Sequence, residues 1–128
     1  MAWDFSSGKA IYIQIAEYIK ADILSGKYKS GEKIPSVRDL ALDAGVNPNT
    51  MQRALTELDQ WGMVSAQKNS GHYVSATEET VSEAKKVMAE NYANTYITNM
   101  RWLGYSDKDL KANINEMLKG DNDNGNNA

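Results

Sequence analysis

The chain has 128 residues, 41% of them hydrophobic and 24% charged, which is typical of a single domain large enough to bury a real core. It contains no cysteine, which excludes disulfides and thiolate chemistry, and no segment approaches the ~18 consecutive apolar residues of a membrane span. The start, MAWDFSSGKAIYIQI, lacks the basic and apolar regions of a signal peptide, so we expect a cytoplasmic protein without a membrane partner.

The net charge of −3 is unevenly distributed along the chain. Residues 1–75 hold eight Lys or Arg and eight Asp or Glu, so the excess of acid lies entirely in residues 76–128. Taken alone, an acidic balance argues mildly against nucleic acid as a partner. Any basic surface in the first part of the chain must therefore come from local placement.

The first predicted helix covers residues 11–25. An isoleucine recurs at every fourth position, which predicts an amphipathic helix with one apolar stripe: Ile11, Ile15, Ile19 and Ile23. Gly26 follows at the position where glycine commonly ends a helix. Before this helix, Trp3 and Phe5 are expected to cover the local core, with packing across subunits as the alternative.

Two short helices are predicted next. Ser36 and Asp39 have the spacing of a capping box, and the helix that they open ends at Gly45. Asn47 is the N-cap of a third helix, with Pro48 at its first position, where the missing N–H costs nothing. Two helices joined by so tight a turn predict a helix–turn–helix.

Residues 63–75, MVSAQKNSGHYVS, predict a small β-hairpin with its turn at Asn69-Ser70-Gly71. The order of helix, helix–turn–helix and hairpin is that of a winged helix over residues 1–75. The predicted fold class is therefore α+β and mostly helical.

From Thr77 the pattern is helical again. Apolar residues recur every three or four positions over more than six turns: Val81, Ala84, Met88, Tyr92, Tyr96, Met100 and Leu103. Ser106 and Asp109 form a second capping box and open a last helix that carries Leu110 and Ile114 on its apolar side. We expect a two-helix domain at residues 76–119, followed by a disordered polar tail at 120–128.

The third helix has an unusual polar face. Asn49, Gln52, Arg53 and Thr56 share it, and this is the chemistry that reads bases in the major groove: amides pair with adenine and guanidinium with guanine. The alternative is an ordinary solvated helix face. The preceding turn and the following hairpin favour DNA.

Outside that helix, Arg38 lies in the first turn of the second helix, where backbone N–H groups attract phosphate; the alternative is a plain surface arginine. The hairpin tip, Lys68 to His72, can approach the DNA backbone or minor groove, unless it is a simple turn. His72 is the only histidine, so it makes neither a zinc site nor a convincing catalytic base. We expect no metal, no cofactor and no catalysis.

The chain resembles the GntR family of bacterial transcription regulators over about residues 10–75. The resemblance rests on IYIQIAEYIKADILSGKYKSGEKIPSVRDLALDAGVNPNTMQRALTELDQWGMV and, at the wing, on KNSGHYV. Two departures stand out: Asn47-Pro48 replaces the Ser-Arg of many members, and Asn69 replaces the first wing glycine. Asn69 can still adopt the left-handed conformation. Together, the residues and the resemblance give these expected DNA contacts: Ser36, Arg38, Asn47, Asn49, Thr50, Gln52, Arg53, Lys68, Asn69, Ser70, Gly71 and His72.

The NPNT variant and the short C-terminal part resemble the YtrA-type subfamily. That resemblance implies a C-terminal dimerisation domain, and often the repression of operons for ABC transporters. The expected partners are thus a second copy of the chain and double-stranded DNA with an inverted-repeat operator. The expected dimer interface is the stripe from Val81 to Leu103 together with Leu110 and Ile114. Two alternatives stay open: the stripe packs on the winged helix alone, or the dimer helices enclose a small-molecule effector.

Overall fold

The computed structural model describes the backbone of residues 3–126 and the side chains of residues 3–120. It contains the following elements in chain order: α1 (Ile11–Leu24), α2 (Val37–Ala44), α3 (Pro48–Gln60), β1 (Val64–Gln67), β2 (Gly71–Val74), α4 (Glu78–Trp102) and α5 (Asp107–Asn126). Packing divides the chain into two compact units, Met1–Lys85 and Lys86–Ala128. Of the helices in the described residues, none has the length and hydropathy that crossing a membrane requires.

The first unit is built around one core, to which α1, α2, α3 and both strands contribute. Most of the predicted apolar stripe of α1 is buried, although Ile11 is 39% exposed because it lies in the first turn. Removing such side chains from water supplies roughly 1.5–3 kcal/mol each. The core consists of Ile15, Ala16, Ile19, Ile23, Ile34, Leu40, Ala41, Met51, Ala54, Leu55, Leu58, Met63, Val64, Val74 and Ala76.

The ends of α2 and α3 fix the helix–turn–helix. The Ser36 Oγ accepts a hydrogen bond from the Asp39 backbone N–H at 3.1 Å, which is one of the two bonds of the predicted capping box. Gly45 ends α2 in the left-handed conformation at φ 70°. The Asn47 Oδ1 then accepts from the Asn49 N–H at 2.8 Å, and Pro48 is the first residue of α3. The turn chemistry read from the sequence is confirmed here.

The hairpin is also confirmed, with a third segment that the sequence does not predict. β1 and β2 pair antiparallel from Val64 opposite Val74 to Gln67 opposite Gly71. Asn69 adopts the left-handed conformation at φ 63°. In addition, Lys33 forms an isolated antiparallel bridge with Tyr73, so the segment before α2 lies along the outer edge of β2.

The N-terminal segment covers one side of this unit. The rings of Trp3 and Phe5 lie 5.3 Å and 6.0 Å from that of Tyr18, and both pack against the core. Buried Gln14 holds the segment in place through hydrogen bonds to the backbone of Ser6 and Lys9. Trp3 and Phe5 therefore cover the local core, as expected.

The division between the units falls inside α4, ten residues after the boundary expected from the sequence. Ala76 is buried in the first core and Val81 packs against it, so the first turn of α4 belongs to the winged-helix unit. A loop boundary is easy to see in a sequence, whereas the point at which one helix leaves a core depends on tertiary packing.

In the second unit, the start of α5 is held by a complete capping box. The Ser106 N–H donates to the Asp109 carboxylate at 2.9 Å, and the Asp109 N–H donates to the Ser106 Oγ at 3.2 Å. These bonds lower the pKa of Asp109. Arg101 makes a bidentate pair with Asp107, both bonds at 3.0 Å, and the Tyr96 hydroxyl donates to Asn113 at 2.6 Å.

The C-terminal end of α5 differs from the sequence prediction. The helix continues to Asn126 and so runs into residues 120–128, for which the sequence predicts a disordered tail. The stretch contains no proline, and extending an established helix costs far less than starting one. Residues 127–128 lie outside the described residues.

Candidate nucleic-acid interface

Helix α3 separates its apolar and polar residues completely. Met51, Ala54, Leu55 and Leu58 are each 0% exposed, and they lock the helix onto the core. The opposite face is solvent-exposed and carries Asn49, Gln52, Arg53 and Thr56. A rigid helix with exposed amide and guanidinium groups is suited to reading base edges in the major groove.

The four exposed side chains of this face are not equally free. The Thr56 hydroxyl donates to the Gln52 carbonyl at 3.0 Å, so its proton is already used, while its oxygen can still accept and its methyl group is free. Within the described residues, the side-chain amides of Asn49 and Gln52 have no hydrogen-bond partner. Thr50 is half-buried at the edge of the face. Asn49 and Gln52 are therefore the amides available to a ligand.

Arg53 has a neighbour that the sequence does not reveal. Its guanidinium carbon lies 3.9 Å from the centroid of the Tyr12 ring on α1. Tyr12 is half-buried and packs against the core of the first unit. Nothing in the sequence marks Tyr12 as a neighbour of Arg53, since a contact between two helices far apart in the chain leaves no local pattern.

The expected residues at the starts of α2 and α3 fall into two groups. Ser36 and Asn47 use their side-chain oxygens as N-caps. Arg38 is exposed in the first turn of α2, and no acidic group in the described part of the chain pairs with it. Because α2 and α3 contact each other, Arg38 and the polar face of α3 belong to one helix–turn–helix. Arg38 is thus free to meet an anion.

At the wing, Lys68 and Asn69 are exposed, whereas Ser70 and His72 are half-buried. The Ser70 hydroxyl is hydrogen-bonded to that of Tyr73 at 2.6 Å. A Cβ on Gly71 would lie 3.2 Å from the Lys33 Cε, so the Lys33 side chain crosses the wing at the one position that has no side chain. Lys33 is a basic residue of this surface that sequence reasoning missed.

Helices α4 and α5 of the second unit form an open apolar groove with a volume of about 890 Å³. Its lining comprises Tyr92, Ala93, Tyr96, Ile97, Arg101, Asp107, Leu110, Lys111, Ile114 and Asn115. Leu110 is buried, whereas Tyr92 is 68% exposed and Ile114 is 38% exposed. Several large apolar side chains of this unit therefore face solvent in the single chain.

The other residues of the expected dimer stripe differ in exposure. Ala84, Met88, Tyr96 and Met100 are half-buried, and Leu103 is 74% exposed. Val81 packs against the core of the first unit. Beyond the expected set, Trp102, Met117 and Leu118 are 87%, 61% and 57% exposed.

Among the described residues, no group of three acidic, His or Cys side chains is arranged to hold a metal ion.

This architecture and its sequence match known proteins. The family model for bacterial regulatory proteins of the gntR family matches residues 11–74. The chain is 31% identical to the uncharacterized HTH-type transcriptional regulator YhcF of Bacillus subtilis (strain 168), over 91% of this chain and 96% of that protein. It is 33% identical to the HTH-type transcriptional repressor YtrA of the same organism, over 89% and 88% of the two chains.

A solved structure agrees over almost the same length. A GntR family transcriptional regulator from Listeria monocytogenes superposes with a TM-score of 0.81 at 31% identity, covering 88% of this chain and 98% of that one. The matching family and relatives are regulators, not enzymes. The likeness to YtrA agrees with the YtrA-type resemblance of the sequence. The chain belongs to the GntR family of transcriptional regulators, and its first unit is the DNA-binding winged helix–turn–helix of that family.

Proposed function

We propose that this regulator binds an inverted-repeat operator as a homodimer and represses transcription from it. The observation that carries the proposal is α3, which is locked by a fully buried apolar face and presents Asn49, Gln52 and Arg53 to solvent. Solubility alone would be served as well by Glu and Lys. Amide and guanidinium groups on one face are what base recognition requires.

In this proposal the contacts fall into two classes. Asn49, Gln52 and Arg53 read base edges, with Thr50 and Thr56 at the margin of the readout. Arg38, Lys68 and Lys33 meet phosphates, which fix register and strengthen binding without carrying sequence information. The remaining wing residues, Asn69 to His72, shape the turn that brings Lys68 to the backbone. Ser36 and Asn47 present the starts of their helices to the DNA.

The homodimer is proposed for the second unit. Tyr92, Leu103 and Ile114 expose apolar surface that a symmetric partner would remove from water, and two-fold pairing is the commonest way to do so. Met88, Tyr96 and Met100 of the same unit are half-buried, and Ala84 of the expected interface lies in the first unit. Leu110 is buried within the second unit, whereas Val81 packs against the core of the first.

Repression is proposed because the relative YtrA is a transcriptional repressor. Control of an ABC transporter operon is what the YtrA-type resemblance implies, and a cytoplasmic location follows from the proposed DNA partner. The decisive experiment is to select duplexes from a randomised library and to measure the affinity of the full chain for the enriched sequence and for a scrambled duplex. Tighter binding to the enriched sequence supports the proposal, and equal affinity contradicts it.

The groove between α4 and α5 favours one second candidate, a small-molecule effector site. Its volume of about 890 Å³ falls in the range of ligand sites, and its apolar lining includes the polar groups of Lys111 and Asn115. An apolar dye such as anilinonaphthalene sulfonate separates the two occupants. If a second copy covers the groove, fluorescence per chain rises when dilution dissociates the dimer. Fluorescence that stays constant on dilution favours the effector.

A further inference from the structure

We propose that Tyr12 of α1 is a positioning residue for DNA recognition, because its ring holds the Arg53 guanidinium in the orientation in which Arg53 meets DNA. The inference rests on the proposed DNA contact of Arg53 and deepens it. It concerns a residue outside the helix–turn–helix, to which neither the sequence pattern nor the GntR resemblance gives a role in binding.

The geometry of the contact is that of a close stack. At 3.9 Å from the ring centroid, the guanidinium carbon is at van der Waals distance from the ring face. The other two cation–ring contacts in the described residues, Lys20 with Trp61 and Lys27 with Tyr28, are looser at 5.5 Å. Of these three contacts, the one between Arg53 and Tyr12 has the shortest distance to the ring centroid.

The ring is a fixed platform. Tyr12 is half-buried and packs against the core of the first unit, next to the fully buried Ile15 and Ala16 on the same helix. The hydroxyl of Tyr12 has no hydrogen-bond partner among the described residues. The aromatic face therefore provides the support, and the hydroxyl contributes nothing to it.

The stack restricts Arg53 without using its donors. In the described part of the chain, no acceptor and no carboxylate pairs with the Arg53 guanidinium. Its five N–H groups remain free for a base edge or a phosphate. An unsupported arginine loses much of its rotamer freedom when it binds, whereas a stacked arginine has lost part of that freedom beforehand. Such preorganisation strengthens binding without adding a new contact.

The test is a double-mutant cycle on DNA affinity in the full chain. The probe is the duplex that the wild-type protein enriches from a randomised library. Tyr12→Leu keeps the apolar bulk and removes the aromatic face, while Tyr12→Phe keeps the face and removes the hydroxyl. An exposed cation–ring contact corresponds to a factor of about two to five, so Tyr12→Leu should weaken binding by that factor for each recognition helix bound. Tyr12→Phe should bind like the wild type.

The coupling distinguishes positioning from a merely structural role. In an Arg53→Ala background, Tyr12→Leu should have no further effect on affinity, because nothing remains to be positioned. In a matched Gln52→Ala background it should keep its full effect, since Arg53, which contacts the ring, is still present. Thermal unfolding of each variant identifies any that fails to fold.

A failure of this inference can be distinguished from a failure of the proposed function. An equal loss from Tyr12→Leu in the Arg53→Ala and wild-type backgrounds, or no loss in either, overturns the inference while specific DNA binding stands. If the wild-type chain enriches no duplex, the proposed function fails. The cycle is then measured on a random duplex. A loss from Tyr12→Leu that disappears in the Arg53→Ala background retains the positioning role for non-specific contacts, and an unchanged affinity overturns it.

Discussion

At the scale of single residues, the polar face of α3 combines side chains whose freedom differs. Asn49 and Gln52 have unengaged amides, Arg53 is stacked on Tyr12, and the Thr56 hydroxyl is bonded to the Gln52 carbonyl. A helical wheel drawn from the sequence treats all four as equivalent. The structure shows that they differ in how free their polar groups are, and the effect of this difference on DNA affinity can be measured.

Gln52→Ala and Arg53→Ala should each weaken specific binding more than non-specific binding. A good base contact contributes about 1–3 kcal/mol of discrimination, so the affinity ratio between the enriched and random duplexes should fall by roughly 5- to 150-fold. Arg38→Ala should instead weaken both and reduce the salt dependence, because a phosphate contact carries no sequence information. The measurement is affinity for the two duplexes at two salt concentrations. Equal losses on both DNAs for Arg53→Ala would remove it from the base-reading set.

A second residue-scale prediction concerns stability. Asp22 lies in the last turn of α1, and burial raises its pKa above the ordinary 3.8, although the Lys27 Nζ at 3.7 Å opposes this shift. Because the folded-state pKa is raised, protonation favours the folded state. Burial of the charged Asp22 carboxylate therefore lowers the stability of the fold above that pKa. This loss of stability disappears as the pH falls towards 3.8.

Asp22→Asn should accordingly raise the melting temperature at pH 7, by an amount corresponding to about 1 kcal/mol. The gain should shrink as the pH falls towards the ordinary value of Asp. Asp59→Asn is the matched control, since Asp59 is exposed near the C-terminal end of α3 and shares the unfavourable helix dipole without the burial. A gain for Asp22→Asn no larger than that of the control would show that burial is not the cause.

At the scale of elements, local chemistry predicted most of the helix and strand boundaries. Asn47-Pro48 starts α3, Gly45 ends α2, and Asn69 turns the hairpin in the left-handed conformation. The missed features join segments far apart in the chain, such as the Lys33–Tyr73 bridge and the Tyr12–Arg53 stack. A pattern in one segment cannot show which distant segment it will meet.

The candidate site likewise has features that the sequence predicts and features that depend on tertiary packing. Its location on α3, on the start of α2 and on the wing was predictable, because N-caps and turn residues mark those elements. Its finer organisation was not, since the bond from Thr56 to Gln52 and the path of Lys33 across Gly71 depend on packing. Helix α5 continues to Asn126, into the segment for which the sequence predicts a disordered tail because its residues have low helix propensity.

The wing should assist binding rather than specify sequence. Lys33→Ala and Lys68→Ala should each reduce the slope of log affinity against log salt by about 0.9, the value for one lost phosphate contact. Adding His72→Ala to Lys68→Ala should lower affinity modestly and leave the preferred duplex unchanged. Lys9→Ala is the control, because its ammonium pairs with Glu17 at 3.0 Å. A changed preference in a randomised-site selection would show that the wing reads bases.

At the scale of the whole molecule, each chain offers a single readout helix, which limits the affinity of one copy. Joining two copies makes the second contact intramolecular and can raise affinity by roughly 10²–10⁴ without any new interaction. The exposed apolar surface of the second unit is the proposed site of the contact between the two copies. Tyr92 and Leu103 are exposed members of this surface, so substituting them should separate the two copies without disturbing either core.

Tyr92→Glu should therefore give a folded monomer that binds the enriched duplex about 100-fold more weakly or worse, since it places an unpaired charge in the contact. Asn94→Glu adds the same charge to the polar face of α4 and should stay dimeric and bind normally. Sedimentation of both variants beside a duplex titration is the measurement. A Tyr92→Glu variant that stays dimeric and binds as tightly as the wild type would leave the groove to a small-molecule effector.

Whether a two-fold dimer reads DNA through α3 is tested most directly by the sequence that the chain enriches from a randomised duplex library. We expect an inverted repeat whose half-site centres lie on the order of one helical turn apart, since two-fold symmetry in the protein imposes the same symmetry on the site. An enriched single half-site without a symmetric partner would contradict the dimer. The absence of any enriched sequence would contradict base reading by α3.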